Sequence, residues 1–262
     1  MVLFLGGGRI TGALAAGLRL AGYSRAILVY DRNPQKVRAL RRESQVEIAR
    51  DLKSAVELAE MLVVAVRPAS VAGVLNEVAA SGASVGLCVS LAAGIPLAKL
   101  RAGLGRPARW VRAMPSPVGR VGRGLTAVSL DRGVSKSDRE RVRTLFELVG
   151  TVLEIPERQF DAFTAAYSSS HGYHAMAALA KAGQDAGLDR ATALTAAAHA
   201  LSDGIAYWRE SGLGLDDLLH EAATPGGIAA ATMTAMDRAG YRRVVGRGLK
   251  AGIQQARRNA AR

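Results

Sequence analysis

Cysteine is almost absent from this chain. Cys88 is the only one among 262 residues, so no internal disulfide can form. It lies in the apolar run from Val85 to Leu91, which predicts a buried, inert thiol and favours a cytoplasmic setting. Apolar runs of the roughly 18 or more residues that a membrane span needs are missing. So is a basic leader followed by an apolar stretch and a small-residue cleavage site, and a soluble, unprocessed chain with no membrane partner is expected. No HExxH or CxxC spacing occurs. His171 and His174 share a helix face but have no third ligand nearby, so no metal is expected. The GxSxG elbow of many hydrolases is also missing. Acidic residues are few beside basic ones: 22 Asp and Glu against 35 Lys and Arg give a formal net charge of +13. The cations are spread out, with short clusters only at Lys36–Arg42 and Arg257–Arg262. They read as compositional bias plus attraction for anionic ligands, with no nucleic-acid partner.

Apolar residues make up 49% of the chain, enough for one large core or two smaller ones. Val2–Leu5 is a short apolar run that stops at three glycines, after which Ile10, Leu14 and Leu18 recur at helical spacing. Strand, glycine turn and helix are expected there. Ala26–Tyr30 is a second run, ending at Asp31, and Asn33-Pro34 then starts a helix. Met61–Val66 is an unbroken apolar segment of strand length, and Val85–Leu91 and Trp110–Met114 follow as further strand-length runs without polar alternation, as in a parallel sheet covered on both faces. Gly124–Leu130, a helix near Ser137–Leu148 and Thr151–Ile155 complete this half. From about Phe160 the β-branched runs vanish and Ala dominates. Ala191, Leu194, Ala198, Leu201, Ile205 and Trp208 alternate steps of three and four, which predicts one buried stripe of a long helix. The fold class expected is α/β: an N-terminal Rossmann-like domain with a parallel sheet over residues 1–157, and an all-helical domain over 158–262.

Gly6-Gly7-Gly8-Arg9-Ile10-Thr11 approximates the GxGxxG fingerprint, with Thr11 at the third small position. Gly6 permits the tight turn, Gly8 lets backbone reach a pyrophosphate, and the helix start at Arg9 and Ile10 offers N–H groups to that anion. Asp31 stands about 20 residues past the glycines, where a carboxylate takes the ribose hydroxyls of NAD. Arg32 beside it suits the extra phosphate of NADP. The two argue opposite ways, and Asp31-Arg32-Asn33-Pro34 also reads as a turn and helix cap. Ala65-Val66-Arg67-Pro68 ends its strand at the carboxyl edge of the sheet, where ligands bind in open α/β folds; Pro68 equally opens a helix. Met114-Pro115-Ser116-Pro117 is a second rigid strand end, or a plain loop. In the helical half, Ser168-Ser169-Ser170-His171-Gly172-Tyr173-His174 collects hydroxyls and imidazoles in an Ala-rich helix, where buried polar groups need partners. His220-Glu221 precedes Thr224-Pro225-Gly226-Gly227, whose glycines offer N–H groups to an anion or simply separate two helices.

Together these segments resemble the pyrroline-5-carboxylate reductase family over nearly the whole chain. The glycine turn, Ala65–Pro68 (similar to the family's AVKP), Ser90-Leu91-Ala92-Ala93-Gly94-Ile95, Ala113-Met114-Pro115 and Thr224–Gly227 occur in family order. The resemblance implies a Rossmann domain, a helical domain that interlocks with a second subunit as a homodimer, and reduction of a cyclic imine. The cofactor implied is NADPH, with NADH as the alternative. Gly6, Gly8, Arg9 and Ile10 would hold the pyrophosphate and Asp31 and Arg32 the ribose, with Ala65, Val66, Arg67, Pro68 and Met114 nearer the nicotinamide. Ser169, Ser170, Tyr173, Thr224, Gly226 and Gly227 would line the substrate. The chain also departs from the family. TALSGSGPAY becomes Thr164–Tyr173 with Ser168, Ser170 and His171 replacing two glycines and the proline, and SPGGTT ends in Ala229 instead of the threonine that binds the substrate nitrogen. An Asn or similar residue before SPGG becomes Glu221. A rebuilt substrate pocket is expected, with His171, or Glu221 if burial raises its pKa, supplying or relaying the proton. Two further readings keep the fold: an oxidoreductase of an amine or carbonyl, and a nucleotide-binding regulatory protein without turnover.

Overall fold

The computed structural model describes residues 1–261. Two compact units divide the chain: Met1–Ala166 with the residues from Ala251 onward, and Tyr167–Lys250.

The first unit is built on an eight-stranded sheet in the order β3-β2-β1-β4-β5-β6-β7-β8. The strands are β1 (Val2–Leu5), β2 (Ile27–Tyr30), β3 (Glu47–Ile48), β4 (Met61–Val64), β5 (Leu87–Ser90), β6 (Arg109–Met114), β7 (Gly124–Leu130) and β8 (Gly150–Glu154). Every neighbouring pair is parallel except β6 with β7. This is the Rossmann-like parallel sheet that the unbroken apolar runs predict. In β1, Val2 and Phe4 join one buried cluster with Leu14, Leu18, Val63 and Phe146, while Leu3 and Leu5 join another with Leu62, Val64, Cys88 and Trp110. Successive side chains point to opposite faces, so burial of both faces removes the polar alternation. Cys88 is fully buried, and that burial pushes its thiol up to about 12, leaving no thiolate at neutral pH.

Helices α1 (Arg9–Leu20), α2 (Pro34–Ser44), α3 (Leu52–Leu58), α4 (Val71–Ala80), α5 (Leu97–Gly103), α6 (Lys136–Glu147) and α7 (Glu157–Ala166) complete this unit, together with the end of α12 (Tyr241–Ala261). Local chemistry sets several starts. The Asn33 side chain accepts from the N–H groups of Gln35 and Lys36, with Pro34 at the first helical position. Two glycines mark close approaches. A Cβ on Gly17 of α1 would come within 2.0 Å of the Gly119 carbonyl oxygen, and one on Gly94 within 2.3 Å of the Ala256 carbonyl oxygen of α12. The stretch from Leu91 to Ile95, following β5, is thus a loop on which α12 packs, and the Asn259 side-chain amide donates to the Ala93 carbonyl at 3.3 Å.

Unit two holds α8 (Ser169–Asp185), α9 (Arg190–Ser211), α10 (Leu215–Ala222), α11 (Ile228–Arg238) and the first part of α12. Helix α8 packs on α9 through small residues, with Ala180, Ala193 and Ala197 buried and Gly183 against Ala193. The long helix that the three-and-four spacing predicts is present as α9. Its large apolar stripe is not buried within one chain, however: Leu194 is 47%, Ile205 50% and Trp208 46% exposed. The face that α9 turns to α8 carries alanines instead, because only small side chains let two helix backbones come close.

Candidate active site

The carboxyl ends of β1, β2 and β4 meet on one edge of the sheet, with Leu5 paired to both Tyr30 and Val64. Strand order runs from β1 outward in opposite directions here, through β2 to β3 on one side and through β4 to β6 on the other. That reversal opens a crevice in which doubly wound folds bind ligands.

Gly6 lines this crevice with φ +109°, and a Cβ on it would lie 2.7 Å from the Ala65 carbonyl oxygen. Only glycine satisfies both conditions. The turn is tied to the second strand, because the Gly7 N–H donates to Asp31 Oδ2 at 2.7 Å and the Gly6 N–H to the Tyr30 carbonyl at 2.8 Å. Gly8 caps α1 with no side-chain hydrogen bond, and a Cβ there would meet nothing within 4 Å. The start of α1 is thus without a side-chain cap, which leaves its first N–H groups for an anion, the arrangement a bound phosphate uses. Arg9 is exposed and Ile10 half-buried against the core. Thr11 is fully buried and its hydroxyl donates to the Gly6 carbonyl at 2.6 Å. It locks the turn as well as keeping the helix close. Gly12, one residue later, supplies the tight packing, since a Cβ on it would lie 2.8 Å from Leu40 Cδ2.

Asp31 is half-buried and uses its second oxygen to accept the Asn33 N–H at 2.8 Å. The cap of α2 is Asn33, not Asp31. Arg32 is exposed and ion-paired with Glu77 of α4. Strand β4 ends at Val64, two residues before the expected end, although the Ala65 N–H still donates to the Leu5 carbonyl at 2.8 Å. Val66 is half-buried, Arg67 exposed, and Pro68 opens a 3-10 turn that leads into α4. Met114 ends β6, half-buried, and Ser116 then caps the 3-10 segment Pro117–Val121.

In the helical unit, the Ser168 side chain caps α8, accepting from the Ser170 N–H at 3.4 Å and pairing with the Ser170 hydroxyl at 2.7 Å. Ser169, Ser170, His171, Tyr173 and His174 are exposed in the protomer, so the sequence expectation of polar groups on a buried helix is corrected. They open the helix, where capping satisfies part of their demand. Glu221 and the Thr224–Gly227 turn are brought together: the Thr224 hydroxyl donates to the Glu221 carbonyl at 3.4 Å and the Gly227 N–H to the Thr224 carbonyl at 2.9 Å. Gly226 takes φ +76°, and Gly227 caps α11 without a side-chain bond. Glu221 is exposed; one chain does not bury it. Among the described residues, α8 packs extensively on α9 but not on α10 or α11.

Sequence reasoning passed over Arg112, in the middle of β6 and 2% exposed. Its guanidinium pairs with Asp161 at 2.8 Å and with Glu157 at 3.5 Å, and lies 4.3 Å from the Phe160 ring centroid. Glu157 also accepts the Leu97 N–H at 2.6 Å, so one buried cation joins β6, α5 and α7. An arginine inside an apolar strand was the available signal, because a buried charge requires carboxylate partners.

Comparison with known proteins agrees with this architecture. Residues 1–94 match the family model described as NADP oxidoreductase coenzyme F420-dependent, and residues 157–259 match pyrroline-5-carboxylate reductase dimerisation. The chain is 34% identical to the pyrroline-5-carboxylate reductase of Mycobacterium tuberculosis over 93% of this chain and 91% of that one. With the Escherichia coli enzyme of that name the identity is 29%, covering 92% and 91%. The crystal structure of Plasmodium falciparum pyrroline carboxylate reductase with NADP bound superposes with a TM-score of 0.87 at 21% identity, covering 99% of this chain and 97% of that one. The structural likeness establishes the fold, and the sequence likeness over 93% of the chain goes further: this protein belongs to the pyrroline-5-carboxylate reductase family.

Proposed function

We propose that this chain reduces the C=N bond of a cyclic imine with a nicotinamide dinucleotide, NADPH being favoured and NADH the alternative. The observation that carries the reading is the start of α1 at Gly8, free of any side-chain cap and facing the crevice between β1 and β4, in a chain of this family. Gly6, Gly8, Arg9 and Ile10 would hold the pyrophosphate and Asp31 and Arg32 the adenosine ribose. Ala65, Val66, Arg67, Pro68 and Met114 would border the way toward the nicotinamide. The residues fit such a group: positive φ at Gly6 and open space at Gly8 leave backbone N–H groups accessible to an anion. When bound, the nicotinamide supplies a hydride. Reduction of an imine carbon leaves an electron pair on nitrogen, so the protein must provide a proton or bind an iminium. His171 and Glu221 are assigned that role, with Ser169, Ser170, Tyr173, Thr224, Gly226 and Gly227 as substrate contacts. Ala229, where the family has a hydrogen-bonding threonine, favours a substrate other than the ordinary one, and it keeps open a binder without turnover.

The domain roles proposed are dinucleotide binding over 1–157 and dimerisation with substrate binding over 158–262. A homodimer through the C-terminal helices is supported by the uncovered apolar side chains there, among them Trp208 and the 88% exposed Ile228. No helix among the described residues is long and apolar enough to cross a membrane, and a cytoplasmic location is proposed.

The test is oxidation of NADPH and NADH, followed by nicotinamide absorbance, with pyrroline-5-carboxylate and a panel of other cyclic imines. Turnover on at least one imine is expected, with a large loss in His171→Ala or Glu221→Ala. Tight cofactor binding with no turnover on any imine overturns the reductase assignment. Turnover that survives both substitutions within a few-fold overturns the proton assignment.

A further inference from the structure

Helix α12 begins beside a cavity of about 450 Å³ that lies wholly within the second unit. The volume falls in the range of small-molecule sites, ~300–1,000 Å³. Its wall carries three cations, Arg243, Arg247 and Lys250, and no carboxylate. Among the described residues none of the three forms an ion pair; the nearest carboxylate contact belongs to Arg242, which approaches Asp237 at 3.9 Å. Positions 243, 247 and 250 follow the four-and-three spacing of one helix face, so the charges stand in a row about 10 Å long. Like charges in such a row repel one another, and an anion in the cavity would relieve that repulsion.

The backbone gives a second, independent indication. Gly240 is buried with φ +84°, and a Cβ on it would lie 2.8 Å from Arg243 Nη2 and 2.9 Å from Nε. The Arg243 guanidinium thus lies back over Gly240 at the start of α12, where the helix presents its positive end. Gly246, also on the wall, adds no side chain to the space. A nucleic-acid surface needs phosphates tracked along an open groove. Here the three exposed cations border one half-open hollow on a single stretch of helix, suited to a compact polyanion.

We infer that the cavity at the start of α12 is a second anion-binding site, for a small molecule carrying two or more phosphoryl groups, held by Arg243, Arg247 and Lys250. It is separate from the proposed dinucleotide site, none of whose residues line it. The position suggests an effector site and not a reacting one.

The test uses the full chain saturated with NADPH, so that the dinucleotide site is filled, and titrates inorganic pyrophosphate by calorimetry. Wild type is expected to bind, with affinity falling as salt rises. The triple variant Arg243→Gln, Arg247→Gln, Lys250→Gln is expected to lose about tenfold or more, since charge-assisted contacts to phosphoryl oxygens are the strong ones. Its NADPH affinity and melting temperature should stay at wild-type values. The single variant Arg247→Gln, a milder change on an exposed helix face, should give an intermediate loss. Absence of pyrophosphate binding in wild type overturns the site, as does undiminished binding in the triple variant. Displacement of pyrophosphate by a short DNA duplex through the same three residues overturns the small-molecule assignment.

Discussion

Replacing Asp31 by asparagine separates what this carboxylate does for the fold from what it does for the cofactor. In the structure it accepts two backbone N–H groups, from Gly7 at 2.7 Å and from Asn33 at 2.8 Å. An asparagine side chain has one oxygen, so one of those N–H groups must face an NH₂. A fully buried unsatisfied donor costs ~1–3 kcal/mol. Asp31 is only half-buried, which places the loss near the lower end, about 1 kcal/mol, or a fall of about 2–4 °C in Tm for a chain of this size. Cofactor effects should divide by type. NADH loses a charged acceptor for its ribose hydroxyls, worth ~1.5–3 kcal/mol, or about ten- to a hundredfold in Kd. NADPH instead places a phosphate near this position, and removing a like charge leaves its affinity unchanged or improves it. Fluorescence titration of both cofactors against both proteins measures the ratio of Kd for NADH to Kd for NADPH. That ratio should rise about tenfold or more. If both constants shift by the same factor, Asp31 acts only by shaping the glycine turn, and the ribose assignment is refuted.

Two glycines of the same segment should behave oppositely. Gly17→Ala drives a Cβ against the Gly119 carbonyl and should cost ~1–3 kcal/mol or more in thermal melting. Gly8→Ala meets no protein atom within 4 Å, so it should leave melting unchanged and weaken NADPH binding; unchanged affinity would argue against a pyrophosphate there. Asp138 gives a pH-dependent prediction. Burial alone pushes its carboxyl up, but hydrogen bonds from Arg109 and Ser135 outweigh that and hold it below the usual carboxylate range. The stability it contributes is complete above pH about 4 and fades as pH falls through its lower folded value. The stability gap between wild type and Asp138→Asn, read from urea titrations, should therefore narrow at acid pH and not at alkaline pH.

The sheet was legible because its strands announce themselves locally. Val2–Leu5 and Met61–Val64 are buried on both faces and carry no polar residue at any position, and Leu87–Ser90 carries only Ser90 at its end. Strand β3 escaped, since Glu47 and Ile48 are only two residues, held by pairing with Leu28 and Val29. The glycine turn was legible for a related reason: its chemistry is backbone chemistry, and a positive φ at Gly6 selects its residue directly. The carboxylate bond to Gly7 was not, because it joins residues 24 apart in sequence through a fold that must form first. Nor was the true inner face of α9. Periodicity shows that Leu194, Ile205 and Trp208 share a face that favours burial, but the three are exposed in the protomer, and their cover is assigned to the second chain of the proposed dimer.

That same exposure bears on catalysis. Ser169, Ser170, His171, Tyr173 and Glu221 are all open to solvent in one protomer, on the unit that also exposes Leu194, Ile205, Trp208 and Ile228. Hydride chemistry at an imine benefits from exclusion of water, and electrostatic control of a proton is weak in bulk solvent. In the proposed dimer one event, cover by a second chain, removes the apolar side chains from water and gives the polar ones a sheltered setting. Assembly and activity should then be lost together. Trp208→Asp is expected to shift sedimentation from dimer to monomer and to abolish imine turnover, while NADPH binding, which uses the first unit, persists. A monomeric variant that turns over imine at the wild-type rate would refute the link, and would place the whole reaction within a single chain.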